Sequence, residues 1–571
     1  MLEPVRGRGE PAPSNARKRG GRFPVKHLIS RRNFLKAAGV TTAAAAMAVG
    51  APAASACWTG EKSEVTILYT NDVHTYIDKQ APELTYAAIA ALKQSYQNAG
   101  KKVLLVDAGD HVQGTAYGSM DQGASIIQLM NAAGYDAATP GNHEFDYGMD
   151  RAKELMRDAD FPYLSCNWVD LRTNLRVLPE IKVFVRGGVR IAFVGITTPE
   201  TFTKSTPAYF MNKAQTKYIY DILGGEDGQK LYSAVQKAVD KAKCLADVVI
   251  GLGHLGVDPS SSPWTSEEVI AHTTGFDAFI DGHSHTVMEN KQVADASGRL
   301  VTLTQTGSYF ANVGEMTIAP DGTISTRLVS TYDQEDVAVA AEQAAWVNTV
   351  DDMLGEKIAV ADTKFSITDP ATGKRRIRSG ETNLGDFAAD AILWQARQTL
   401  GEENVDAALT NGGGIREALA KGDISKKSLL AVFPFGNTVA TIDVTGAQLL
   451  EALEAATCTT PEAIGAFPQV SGIEFTLNTG VPYVNGTQYA NSTYYAPANP
   501  GSRVTISTVN GEAFDPAATY TIATNDFTAK GGDTYGVFKT AGGWKDVGVS
   551  LEDALINYTT EELDGTITAE Q

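Results

Sequence analysis

Five short apolar runs in this 571-residue chain are followed at once by acids, histidines or an asparagine. Val65–Tyr69 passes into Asn71-Asp72-Val73-His74, and the run ending at Val106 continues Asp107-Ala108-Gly109-Asp110. Ala137-Ala138-Thr139-Pro140 leads into Gly141-Asn142-His143-Glu144-Phe145-Asp146. Val248–Leu252 ends in Gly253-His254, and Phe276–Ile280 ends in Asp281-Gly282-His283-Ser284-His285. Carboxylate oxygen, imidazole nitrogen and amide oxygen without thiolate is the donor set of a hydrolytic centre for zinc, manganese or a similar ion, not of a structural cysteine site. Seven or eight such donors exceed what one ion needs, and they suit two ions about 3.5–4 Å apart with a shared carboxylate. A single histidine in a chain this long is as easily a buried, hydrogen-bonded core residue. Here five of the seven histidines after residue 56 fall in these motifs, with His111 and His272 outside them.

These residues need elements to hold them. Open α/β sheets gather ligands at the carboxyl ends of their strands, which is where all five motifs stand. Residues two apart in extended chain face the same side, so Asp72 with His74, and His283 with His285, can each face one point. The glycines before Asp110, Asn142, His254 and His283 permit tight turns. From Glu64 to about Ile318, β-rich runs alternate with helical stretches such as Tyr86–Gln97 and Leu231–Cys244, indicating a layered α/β domain. Residues from about Asp333 to Glu356 predict a long solvent-facing helix that links two domains. A second mixed domain follows to about Asn557, with strands at Val439–Val444 and Val504–Ser507 and a helix over Leu384–Leu400. The Gly- and Asn-punctuated stretch from Asn478 to Ser502 predicts surface loops. Cys166, Cys244 and Cys458 are expected as small buried hydrophobes.

Composition narrows the class. Hydrophobic content of 43% supports real cores, which excludes a largely disordered protein. The first 56 residues hold ten Lys/Arg against two Asp/Glu, so the remainder carries −27 against an overall −19. A body that acidic is unsuited to nucleic acid, although a metal or an arginine cluster can reverse the field locally for a small anion. No protein partner is implied. Four cysteines exclude a disulfide-dense scaffold, and no repeat of 20–50 residues is visible. No Gly-x-Ser-x-Gly elbow points to a serine nucleophile.

Residues 1–56 look like an address. Arg31-Arg32-Asn33-Phe34-Leu35-Lys36, then an uncharged Ala-rich run ending Ala54-Ser55-Ala56-Cys57, resembles a twin-arginine export signal. That predicts an extracellular, cell-surface or periplasmic protein. Cys57 stands where a lipoprotein signal places its acylated cysteine, but Ala54 stands where leucine is usual, so lipid anchorage and plain cleavage both stay open. No second run reaches membrane-spanning length.

In order, Asp-x-His, Gly-Asp, Gly-Asn-His-Glu, Gly-His and Gly-His-x-His resemble the calcineurin-like metallophosphoesterases. Asn411-Gly412-Gly413-Gly414-Ile415-Arg416, Pro434-Phe435-Gly436-Asn437, Asn525-Asp526-Phe527 and Gly531-Gly532-Asp533 are similar to the substrate domain of the 5′-nucleotidase family. The resemblance runs from about Val65 to Asn557. It implies a four-layer α/β metallophosphoesterase sandwich followed by a mixed α/β substrate-binding domain that swings about the linker. The corresponding divisions are an export signal at 1–56, a catalytic domain at 62–332, a linker helix at 333–357, a substrate domain at 358–560 and a tail at 561–571.

The same resemblance assigns one divalent metal to Asp72, His74, Asp110 and His285, and a second to Asp110, Asn142, His254 and His283. It makes His143, paired with Asp146, the catalytic histidine that does not bind metal. Phe435 and Phe527 would sandwich a nucleobase, Asn437 touch its edge, Asp533 bind the ribose hydroxyls, and Arg378 and Arg416 hold phosphate. The expected activity is removal of the 5′-phosphate from nucleotides. Hydrolysis of 2′,3′-cyclic nucleotides or of UDP-sugars and dinucleotides on the same centre is the alternative. A surface nucleotide-binding protein without turnover is the remote one.

Overall fold

The computed structural model describes residues 62–569 apart from 215 and 491; the export segment and Cys57 lie outside the described residues. In the first domain Val65–Thr70, Lys102–Asp107 and Ala137–Ala138 run parallel, and Val313–Ile318 and Ile324–Val329 extend that sheet antiparallel. A six-stranded second sheet has the order Val287–Ala294, Leu300–Thr306, Ala278–Ile280, Val248–His254, Val189–Thr197, Ile181–Arg186. Its four central strands are parallel.

The strands facing the other sheet read as near-continuous apolar runs because both of their faces are covered. Tyr69, Val106, Phe193, Ile250 and Met316 form one core between the sheets. Helices Tyr86–Asn98 and Ala124–Ala133 cover the outer face of the first sheet, and Gln229–Lys243 and Ser266–Ala271 cover that of the second. The result is helix, sheet, sheet, helix: four layers, as the resemblance implied. The parallel strands of both sheets deliver the five motifs to one end.

The helix Val337–Leu354 begins where Asp336 accepts hydrogen bonds from the amides of Ala338 and Val339. It is not simply solvent-facing. Val339 and Val350 are buried, Trp346 and Val347 pack beside them against the first domain, and the Trp346 indole donates to the Tyr117 carbonyl at 2.9 Å. Valine and alanine on one stripe of an otherwise acidic helix suffice for that seam.

The second domain is built on a five-stranded mixed sheet of order Pro468–Ser471, Ala407–Asn411, Thr519–Asn525, Thr438–Thr445, Gly542–Ser550. Asn383–Leu400 packs on one face and Gly446–Ala456 on the other. The segment predicted as surface loops departs from that reading. It carries the hairpin Asn485–Gln488 with Tyr495–Pro497, and Tyr494 is 6% exposed. Its tyrosines provide apolar area that Gly and Asn counting overlooks. Beyond residue 560, Thr566–Ile567 pairs with Val360 and Ala361, and Ile567 is buried, so this stretch is folded and not a tail. Cys166 is buried and Cys458 partly so, but Cys244 is exposed because it caps the end of its helix. Among the described residues no helix is long and apolar enough to cross a membrane.

Candidate metal centre and facing cavity

The ligand loops are stitched to one another by backbone. The amide of Asp72 donates to the Gly109 carbonyl at 2.9 Å, that of His74 to the Asp110 carbonyl at 3.0 Å, and that of Tyr309 to the Asp72 carbonyl at 2.8 Å. Asp72, His74, Asp110, His283 and His285 all have positive φ, between 49° and 78°. The extended geometry expected from the i, i+2 spacing is therefore replaced by left-handed turns, conformations that cost energy and persist where surrounding contacts enforce them. Gly141 is required for space. A Cβ there would lie 2.2 Å from Asp110 Oδ1 and 2.7 Å from His254 Nε2. Gly253 differs from expectation, since it lies inside the strand Val248–His254 and makes room for the Phe279 ring.

Two donor groups result. In the first, His285 Nε2 lies 3.1 Å from His74 Nε2 and 3.5 Å from Asp72 Oδ1. In the second, Asp110 Oδ2 lies 3.0 Å from His254 Nε2, with His283 completing the group. The same Asp110 oxygen is 3.9 Å from His74 Nε2, so this carboxylate stands between the groups. His283 and His285, expected to face one point, serve different groups.

The tautomers are fixed from outside. His74 donates from Nδ1 to the Gln113 carbonyl at 2.9 Å and His254 from Nδ1 to the Ala108 carbonyl at 2.6 Å, which leaves each Nε2 lone pair toward the cluster. His283 is reversed: its Nε2 donates to Glu200 Oε2 at 2.9 Å and leaves Nδ1 for the cluster. Burial holds His74 and His285 well below the ordinary imidazole range, hence neutral. Burial opposes ionisation of Asp110, but His254 and His143 beside it hold its carboxyl well below the usual range. Asn142 Oδ1 is buried without a hydrogen-bond partner. Such atoms are costly unless something else satisfies them. Two imidazole nitrogens in contact, an orphaned amide oxygen and a central carboxylate fit a pair of divalent cations.

His143 belongs to neither group. Its amide donates to Asp110 Oδ1 at 2.8 Å, and its Nδ1 donates to Asp146 Oδ2 at 2.5 Å. Burial lowers its affinity for a proton, but Asp146 and Asp110 more than restore it. The short 3-10 turn His143–Phe145 is anchored by its last residue: the Phe145 ring meets Trp168 edge-on at 5.0 Å and Phe210 at 5.1 Å.

A cavity of about 300 Å³ opens between the domains, and the centre forms one wall through Asp110, Asn142, His143, His283 and His285. Arg378, Arg416, Phe435, Asn437, Phe527 and Asp533 line the opposite wall. Every substrate-side residue expected from the sequence is thus brought to the same space. The Phe435 ring lies 5.4 Å from that of His143, and the Arg416 guanidinium 5.6 Å from the Phe435 ring. Burial with Arg375 and Arg416 close by pulls Arg378 down to about 9, the mark of cations gathered for an anion.

Among the lining residues that the sequence reading missed are three charged ones, Arg375, Glu200 and Lys204. Arg375 stands beside Arg378 and Arg416, in the run Lys374-Arg375-Arg376-Ile377-Arg378 from which the resemblance took Arg378 alone. Glu200 and Lys204 follow the strand Val189–Thr197. Reading past that sixth strand end, as past the other five, reaches Thr198-Pro199-Glu200.

Comparison with known proteins agrees with this geometry. Residues 65–287 match the calcineurin-like phosphoesterase profile, 357–540 the C-terminal domain of 5′-nucleotidase, and 28–48 the twin-arginine translocation pathway signal sequence. The trifunctional nucleotide phosphoesterase protein YfkN of Bacillus subtilis is 30% identical over 540 residues, covering 85% of this chain but only 33% of that longer one. The 5′-nucleotidase of Mus musculus is 30% identical over 469 residues, 74% of this chain and 75% of that one. The crystal structure of a 5′-nucleotidase precursor from Thermus thermophilus superposes with a TM-score of 0.72 at 26% identity, over 89% of this chain and all of that one. With both domains matched in order and the donor groups assembled at their junction, the chain belongs to the 5′-nucleotidase family of metal-dependent hydrolases.

Proposed function

We propose that the protein is an exported two-metal phosphohydrolase that removes the 5′-phosphate from nucleotides, releasing nucleoside and inorganic phosphate. The observation that carries this reading is the single cavity shared by the donor groups and by the arginine, phenylalanine and aspartate wall. Asp72, His74, Asp110 and His285 would hold one cation, and Asp110, Asn142, His254 and His283 the other. When bound, such a pair supplies Lewis acidity and a water of lowered pKa.

The remaining work falls to the chain itself. Arg375, Arg378 and Arg416 bind the phosphate oxygens and neutralise their charge. Water oxygen forms the new bond to phosphorus as the bond to the ester oxygen breaks. His143, oriented by Asp146, stabilises the transferring group and gives its Nε2 proton to the departing O5′. Phe435 and Phe527 stack the base and exclude water, Asn437 meets the base edge, and Asp533 accepts from the sugar hydroxyls. The acidic exterior repels nucleotides at long range, and the three arginines invert that field within the cavity.

The test is hydrolysis of AMP with added manganese or zinc, run beside 2′,3′-cyclic AMP, UDP-glucose and NAD, with products resolved by chromatography. AMP should be hydrolysed best, and His143→Ala should lower kcat by about 10²–10⁴-fold. Turnover of the cyclic ester with AMP inert would refute the assignment.

A further inference from the structure

One short helix reaches both ends of the cavity. Glu200, immediately before Thr201–Lys204, accepts from His283 Nε2 at 2.9 Å, and Lys204 at the far end points across the domain junction. Lys204 Nζ donates to Asp533 Oδ1 at 3.2 Å and to the Tyr494 hydroxyl at 3.0 Å. A second tie runs through backbone: the Asp533 amide donates to the Thr203 carbonyl at 2.8 Å, and Asp533 itself sits at φ 47°. The second carboxylate oxygen, Asp533 Oδ2, accepts from Asn411 Nδ2 at 3.0 Å.

Each oxygen of Asp533 therefore has one fixed donor, and the carboxylate lines the cavity with acceptor capacity left over. Asp533 is only 5% exposed, and a buried carboxylate needs a partner to hold it in place. Lys204 is that partner. Burial opposes its charge, but Tyr494, Asp533 and Glu200 hold it well above the ordinary lysine range. A paired carboxylate held rigid by two donors accepts two neighbouring hydroxyls at a geometric cost already met.

We propose that Lys204 is a specificity-determining positioning residue, which holds the Asp533 carboxylate aimed into the cavity so that the enzyme selects substrates carrying a vicinal sugar diol. This rests on the nucleotidase reading and adds to it a residue of the catalytic domain that governs sugar recognition in the other domain.

The full-length, manganese-loaded enzyme is assayed with AMP, 2′-deoxy-AMP and p-nitrophenyl phosphate, and adenosine binding is followed by calorimetry. Lys204→Met should raise KM for AMP by about 10- to 100-fold while changing kcat little. It should weaken adenosine binding in parallel, nearly abolish the preference for AMP over the deoxy analogue, and leave p-nitrophenyl phosphate hydrolysis at the wild-type rate, which also verifies folding and the metal centre. Lys204→Arg, which keeps the cation, should restore much of the preference. An unchanged KM for AMP, equal loss on all three substrates, or an arginine variant as impaired as the methionine one would each overturn the role of Lys204. A wild-type enzyme inert toward AMP would instead overturn the nucleotidase reading beneath it.

Discussion

At the scale of single residues, the site depends on groups whose second hydrogen bond is already committed. His74, His254 and His283 each spend one ring nitrogen on a carbonyl or on Glu200 and keep the other for the cluster. His143 spends its Nδ1 on Asp146. Removing that carboxylate's charge leaves the ring free to rotate and its proton less firmly held. Asp146→Asn should therefore lower kcat for AMP by at least about tenfold, less than His143→Ala, with KM nearly unchanged, as expected when a transition-state interaction is lost. Steady-state kinetics on the two variants decide it, and an Asp146→Asn enzyme of wild-type kcat would remove Asp146 from the mechanism.

At the scale of elements, short loops after parallel strands carry the chemistry, and the glycines decide how closely those loops approach. Gly141 faces Asp110 and His254 at distances no Cβ can occupy. Gly141→Ala must displace one of them, so it should lower bound metal well below that of the wild type and abolish most activity. The strands beneath should tolerate it, with overpacking costing about 1–3 kcal/mol. Metal content by plasma mass spectrometry, set against the thermal midpoint, separates a site defect from a folding defect. The helix Val337–Leu354 shows the complementary case, in which an acidic exterior conceals a packed stripe through Val339 and Val350.

At the scale of the molecule, domain contacts and buried acids set the response to pH. Glu552, on the helix Leu551–Asn557, has an oxygen buried without a hydrogen-bond partner. Burial, with a smaller push from Asp553, raises its carboxyl to about 7. The folded state thus binds this proton more tightly than the unfolded chain, whose glutamate titrates near 4.5, so the contribution is full below that value and is lost as pH rises to about 7. Glu552→Gln, which stays neutral, should be spared that loss. Between pH 4.5 and 7 the thermal midpoint of the wild type should fall relative to the variant, and above 7 the gap should stay constant. Parallel melting curves across that range test it; a pH-independent gap would show that Glu552 is not the group responsible.

What the sequence determined by itself was the kind of chemistry and its place at the strand ends, because strand periodicity and donor type are local properties that survive without coordinates. Asp72, His74, Asp110, Asn142, His254, His283 and His285 were legible for that reason, and the motif order of Asn411–Arg416, Phe435, Phe527 and Asp533 marked the second wall. The resemblance had also divided the donors into the two groups, but tertiary structure alone decided how left-handed turns part His283 from His285, and that Tyr494 and Ile567 are buried. It also brought in Arg375, Glu200 and Lys204. Lys204 meets Asp533 329 residues away across the domain junction, and Glu200 meets His283 83 residues away; no local pattern encodes pairings that only the folded chain makes.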